Sequence, residues 1–160
     1  MRLIRVGILI GVFVGFALWA TSAQAQDTLP AEISSAYSAT LATLQTAKTP
    51  EDIRAMVEAM DSKDWVSISP NGEKNYRDDA EKQLVGLLSI PVGKRPVPKQ
   101  KIIYVNIAGS ITTTVFWVYR TTDQGAVGSL IRDTWEKTEL GWRRSLHEKL
   151  FPDRLLDVPQ

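Results

Sequence analysis

The sequence predicts an α+β fold, three helices in the first half of the chain and a mixed or antiparallel sheet completed by the second, and three observations carry that expectation. Apolar residues recur at three- and four-residue spacing between positions 33 and 88, whereas from Lys101 onward they fall in β-rich runs. Short turns with Gly, Asp or Ser separate those later runs. Helices and strands are thus segregated along the chain, which is the pattern of an α+β domain rather than of an alternating α/β one.

The N-terminus stands apart. Arg2 and Arg5 precede an apolar run from Val6 to Ala20 that ends in Thr-Ser-Ala23-Gln-Ala25, the pattern of a secretory signal peptide cleaved before Gln26. The apolar run is roughly 15 residues, short of the roughly 20 that a spanning helix needs. Residues 1–25 are therefore read as a leader, and 26–160 as a single exported domain, periplasmic or secreted, with no stable membrane insertion after cleavage. Without any Cys the new N-terminus cannot be lipidated, and no disulfide can form in an oxidising compartment.

The chain has 19 basic and 18 acidic residues, and losing Arg2 and Arg5 with the leader turns its net charge slightly negative. Such a surface does not draw polyanions, so a nucleic-acid partner is not expected. A single His and no Cys leave no metal-ligand spacing, and no cofactor motif is present. Roughly 135 mature residues suffice for one domain that buries about two thirds of its unfolded surface.

The first predicted helix runs from Ala31 to Ala47, with Ile33, Tyr37, Leu41 and Leu44 in one stripe. Thr49-Pro50-Glu51-Asp52 then supplies an N-cap, a proline in the first turn and two acids at the positive end of the helix dipole. The second helix buries Ile53, Met56, Val57 and Met60. Asp61-Ser-Lys-Asp64 reads as a helix-ending turn. A short strand from Trp65 follows, with Pro70-Asn71-Gly72 turning it back through Lys74 to Tyr76. The third helix begins near Asp78-Asp79, carries Ala80, Leu84, Leu87 and Leu88, and stops before Pro91. Lys94 to Lys101 forms a basic, proline-containing connector.

Four strands complete the chain as a meander: 101–108, 111–122, 128–138 and 142–151. In the second of them Ile111, Thr113, Val115, Trp117 and Tyr119 share one side, and Thr112, Thr114, Phe116, Val118 and Arg120 the other. The final hairpin admits two registers. A three-residue loop with Gly141 left-handed pairs Thr138 with Trp142, so that Arg132 opposes Glu148, Glu136 opposes Arg144 and Asp133 opposes His147. A shift of one residue instead gathers Ile131, Asp133, Trp135, Trp142, Arg144, Leu146, Glu148 and Leu150 on one face and turns His147 to solvent.

Two helices, a Pro-x-Gly hairpin, a third helix and a meander closing on Asp133-Thr-Trp-Glu-Lys-Thr…Gly141-Trp-Arg-Arg…His147-Glu-Lys-Leu resemble the nuclear-transport-factor-2-like superfamily, in its SnoaL-like branch. The resemblance implies a cone, related to the cystatin-like folds, in which a curved sheet wraps the helices around an open-ended cavity. It also implies possible pairing of two copies through the outer sheet face. Acid-base enzymes of the superfamily often use a carboxylate near Asp61 and Asp64, although no motif here matches well enough to assign either a role. Because such cones include isomerases, hydrolases and dehydratases as well as non-catalytic binders, the resemblance implies a hollow without naming its contents.

Tyr37, Trp65, Tyr104, Trp117, Trp135 and Arg144 are the candidate ligand-contacting residues, since Tyr and Trp pair a broad apolar body with one polar atom. Asp133 shares a face with Ile131 and Trp135 in either register, which makes it the candidate cavity carboxylate. Beside an indole and away from water its pKa would rise and let it transfer a proton; ionised and paired with Arg144, it would be a structural clamp. His147 is its candidate acid-base partner. The sequence ranks a binder of a small apolar or amphipathic molecule, or an accessory domain, ahead of a cofactor-independent isomerase, dehydratase or hydrolase. In the latter, Tyr104 or Tyr37 would donate to a developing oxyanion, and Trp117 and Trp135 would position the substrate. Few polar residues have a clear inward address, which favours the binder.

Overall fold

A computed structural model describes residues 28–156 apart from positions 97 and 124. Residues 1–25, read from the sequence as a signal peptide, lie outside the described residues. Among those described, no helix is long and apolar enough to cross a membrane.

The elements run α1 (Ala31–Thr46), α2 (Pro50–Met60), β1 (Asp61–Ile68), β2 (Lys74–Tyr76), α3 (Arg77–Val85), a 3-10 turn (Gly86–Ser89), β3 (Lys99–Ala108), β4 (Ile111–Thr122), β5 (Gly125–Thr138), β6 (Gly141–Lys149) and β7 (Arg154–Leu156). Helix α2 opens as its sequence requires. Thr49 accepts from Asp52 N at 3.2 Å, and the Asp52 carboxylate accepts from Thr49 N at 3.0 Å, a complete capping box with Pro50 behind it.

The strands form one curved, unclosed mixed sheet in the order β2-β1-β6-β5-β4-β3, with β7 added beside β5. Antiparallel pairing joins every neighbour except β1 and β6, which are parallel. That parallel contact brings the end of α2 to the middle of the C-terminal hairpin.

Two expectations are corrected. Asp61-Ser-Lys-Asp64 is not a turn; it is the start of β1, because Asp61 is already extended (φ −102°, ψ 142°) and pairs with Arg144. The chain also carries a seventh strand, β7, that the four-strand reading of the C-terminal half omits.

Helix α1 lies against the concave face, where Ile33, Tyr37, Met60, Phe116, Ile131, Trp135 and Trp142 make one apolar cluster. A second cluster of Ala47, Ile53, Met56 and Val57 packs α2 against Leu84, Val85 and Leu88. Gly128 lets β4 and β5 close up, since a Cβ there would meet the Val118 carbonyl oxygen at 2.0 Å.

The final hairpin takes both registers. Its loop has two residues, Glu139 and Leu140, rather than three: Thr138 pairs with Gly141, whose φ is 95°, and Thr138 Oγ1 accepts from Leu140 N and donates to Gly141 O. From there Trp135 faces Arg144 and Glu136 faces Arg143. At Ser145 a bulge inserts one extra residue, and beyond it Asp133 faces His147 and Arg132 faces Glu148. Glu136 therefore opposes Arg143, not Arg144. The bulge places Trp142, Arg144 and His147 on the concave side together, although the first two differ from the third by an odd number of positions.

Candidate functional site

The concave faces of β1, β4, β5 and β6 converge under α1 on a buried polar cluster. Asp133, completely buried on β5, is its centre. One carboxylate oxygen accepts from His147 Nδ1 at 2.7 Å, and the other accepts from Tyr37 Oη at 2.7 Å. Arg144 Nη1 stands 3.5 Å from that second oxygen. Arg144 also grips Asp61 in a two-pronged pair, Nε to Oδ1 at 2.7 Å and Nη2 to Oδ2 at 3.2 Å. Two carboxylates from β1 and β5 thus hold one guanidinium, whose free face lies 5.3 Å from the centre of the Trp65 ring.

Tyr37 Oη is fully engaged. It donates to Asp133, accepts from Trp135 Nε1 at 3.2 Å, and lies 2.9 Å from Thr114 Oγ1. Its ring meets Trp135 and Phe116 edge-on, at 5.2 and 5.3 Å between centres.

Electrostatics fix the protonation of this cluster. Burial alone would raise the Asp133 carboxyl, but the Arg144 charge, the His147 charge and hydrogen bond, and the Tyr37 hydroxyl outweigh it and hold it below the usual carboxylate range. This corrects the expectation of a raised pKa: the indole is there, and so is a cation. Burial, joined by the Asp133 charge, pushes the Tyr37 phenol far above its usual value. Arg144 stays charged because Asp133 and Asp61 offset its desolvation.

Since Asp133 is an ionised acceptor, His147 Nδ1 must carry the proton it shares with that oxygen. Arg144 Nη1, 3.3 Å from the same nitrogen, is a second donor and makes only a packing contact there. The other ring nitrogen, Nε2, has no protein partner among the described residues.

Beside the cluster lies a cavity of about 470 Å³, within the ordinary span of small-molecule sites. Its wall combines Leu41, Leu44, Met60, Phe116 and Ile131 with Tyr37, Arg144, His147 and Lys149. A second hollow of about 520 Å³ between α1 and α2 is lined mainly by Ala and Thr, with Lys48 and Asp52 as its ionisable groups. Among the described residues no group of His, Asp and Glu has the arrangement of a metal site.

Of the residues singled out in the sequence, the structure brings Asp133, His147, Tyr37, Arg144, Trp65 and Trp135 together. Trp135 packs in the core behind Tyr37, with none of its surface exposed. Tyr104 and Trp117 are elsewhere. After a bulge between Ile102 and Tyr104, Tyr104 pairs with Val115 on the convex face and is 40% exposed. Trp117 stands on that same face, opposite Lys101 and Leu130. Neither can orient a molecule held on the concave side. Asp61, Thr114 and Lys149 join the site without having been assigned to it from sequence. For Asp61 the local signal is that of a turn, and only the parallel pairing with β6 reveals its role.

No family model matches the chain, and no curated protein is detectably related to it. Solved structures do match in fold. An NTF-2-like protein of unknown function from Pseudomonas aeruginosa superposes with a TM-score of 0.56 at 16% identity, covering 76% of this chain and 95% of that one. Another, from Shewanella oneidensis, gives 0.57 at 12% identity over 73% and 94%. A candidate ketosteroid isomerase from Parabacteroides distasonis gives 0.50 at 15% identity over 76% and 86%. The chain has the nuclear-transport-factor-2-like fold.

Proposed function

We propose that this protein is a cofactor-independent acid-base enzyme of the isomerase, dehydratase or hydrolase type, with His147 as the proton-transferring group. The observation that carries this reading is the hydrogen bond from His147 Nδ1, on the wall of the cavity, to the buried Asp133 carboxylate behind it. That bond fixes the tautomer and leaves Nε2 as the basic nitrogen for a ligand. Asp133 orients the imidazole; it is not itself the proton carrier, because Arg144, His147 and Tyr37 hold it below the usual carboxylate range. Arg144 and Tyr37 hold Asp133 in turn, and Phe116, Ile131 and Met60 supply an apolar bed.

Nitrobenzisoxazole, whose ring opens when a base removes one carbon-bound proton, probes such a group without knowledge of the natural substrate. The wild-type chain should open it faster than buffer, and His147→Gln should lose roughly a hundredfold or more of that rate. Equal rates in the two proteins would leave a non-catalytic binder of small apolar molecules, the coarser reading that the cavity alone supports.

Export rests on the leader pattern, and sequencing the N-terminus of the mature protein tests it. Homodimerisation through the sheet is supported by Tyr104 and Ile111 on the convex face, 40% and 45% exposed. Light scattering that gave a monomer mass would overturn it.

A further inference from the structure

The cavity wall is unequal in charge. Arg120, Arg144 and Lys149 face it together with the His147 imidazole, and among the described residues a single carboxylate, Asp153, faces it in return. Arg144 is matched by Asp61 and Asp133, which lie behind it. The remaining cations are at the opposite end. Lys149 Nζ is 2.8 Å from Asp153 Oδ1, and Asp153 also accepts from Ser129 Oγ. Arg120 stands near enough to act on the same carboxylate, after the Lys149 and Ser129 hydrogen bonds that mainly hold it below its usual range. At this end Lys149 is paired with one acid, and Arg120, which lines the same cavity, is within electrostatic reach of that acid.

Both are placed by the sheet. Lys149 is two residues beyond His147 on β6, so the two point to the same face about 7 Å apart along the strand. Arg120 is on β4 beyond Phe116 and Val118, in the same inward row. The space between is apolar, floored by Phe116 and Ile131 and roofed by Leu41 and Leu44 of α1.

We infer that the ligand of this cavity is an amphipathic acid, an apolar body carrying one carboxylate that Lys149 and Arg120 receive, with the position next to His147 a few bonds from that carboxylate. The inference rests on the reading of this cavity as the ligand site, and not on the proton transfer itself. Lys149 and Arg120 are specificity-determining residues in this scheme: they choose the charge of the ligand and set which of its carbons meets the imidazole.

Decanoate, decanol and decylamine form a matched series that differs only in the head group. Titration calorimetry on the full mature chain should find decanoate bound about tenfold more tightly than decanol, with decylamine weakest, as expected for one charge-assisted pair. The preference should collapse to parity in the double variant Lys149→Met and Arg120→Met, persist in Lys149→Arg, and weaken with added salt. Equal affinity for decanoate and decanol overturns the inference, as does a preference that survives the double variant or a failure of all three to bind. The two proposals fail separately. His147→Gln should retain the decanoate preference while losing the ring-opening rate, whereas an active protein without the preference would keep the base and lose the acid ligand.

Discussion

His147 and Asp133 face one another across a bulged hairpin, the imidazole donating at 2.7 Å to a carboxylate that has no exposed surface. The same carboxylate accepts from Tyr37 and lies against Arg144. Asp133 is accordingly an ionised clamp of the core, the alternative that the sequence sets against an Asp133 that transfers a proton itself, and in the proposed dyad it also orients the imidazole.

Asp133→Asn should therefore destabilise the fold strongly. It leaves the Arg144 charge less than balanced and puts an amide where three donors converge; breaking a buried pair in this way costs about 3–5 kcal/mol. A thermal melt of the variant is the check, and a melting temperature close to wild type would remove the clamp.

Much of this architecture is legible in the sequence. The apolar stripe of α2 and the Thr49 N-cap follow from local periodicity and capping chemistry, and the structure repeats them; β4 is legible as two alternating faces, but not as to which of them turns inward, and Trp117 lies on the outer one. Asp133 is legible as an inward carboxylate because both hairpin registers agree on it. The hairpin itself is legible only as a pair of alternatives, since a bulge lets it satisfy one register near the turn and the other beyond Ser145. No local rule places such an insertion. The side that Tyr104 takes is illegible for the same reason, its strand shifting phase between Ile102 and Tyr104. Asp61 shows the other limit: its partner Arg144 is 83 residues away, in a parallel pairing that no short-range pattern encodes.

Stability should fall at both ends of the pH scale, for opposite reasons. The folded pKa of Asp133 lies below its unfolded value, about 3.9, so its contribution is present above that pH and is lost as pH falls through the folded value. Tyr37 is raised in the fold above its unfolded value of about 10, so its contribution is present below pH 10 and is lost as pH rises toward the folded value. Urea midpoints measured across pH should trace both limbs, with Tyr37→Phe flattening the alkaline one.

Gly128→Ala should be among the most damaging single changes in the sheet. The new Cβ would lie 2.0 Å from the Val118 oxygen and 2.6 Å from Tyr119 Cα, and both are backbone that no rotamer change can move. Strands β4 and β5 would have to part beside β7, so a loss of more than about 3 kcal/mol is expected. Amide exchange would show it as lost protection at Val118 and Ser129, and an unaltered exchange pattern would contradict it.

Thr49→Ala tests the capping box apart from the site. It removes the acceptor for Asp52 N on an exposed turn, leaving the cavity untouched, and should cost about 1 kcal/mol in a urea titration. The ring-opening rate should not change, which makes this variant the control for the stability effects of the others.

Tyr37→Phe separates a supporting role from a direct one. The hydroxyl gives its proton to Asp133 and accepts from the Trp135 indole, so removing it leaves a buried N–H without a partner and one carboxylate oxygen short of a donor. The loss in stability should be about 1–3 kcal/mol. With its proton already committed, Tyr37 has none to offer a substrate oxygen, in contrast to the donor role the sequence suggests. It acts on the reaction only by holding Asp133 and hence the imidazole. The ring-opening rate of Tyr37→Phe should thus fall much less than that of His147→Gln, and its pH profile should shift as the Asp133 carboxylate loses a stabilising bond. A loss of rate as deep as that of His147→Gln, at an unchanged pH profile, would mean that the phenol touches the reacting molecule after all.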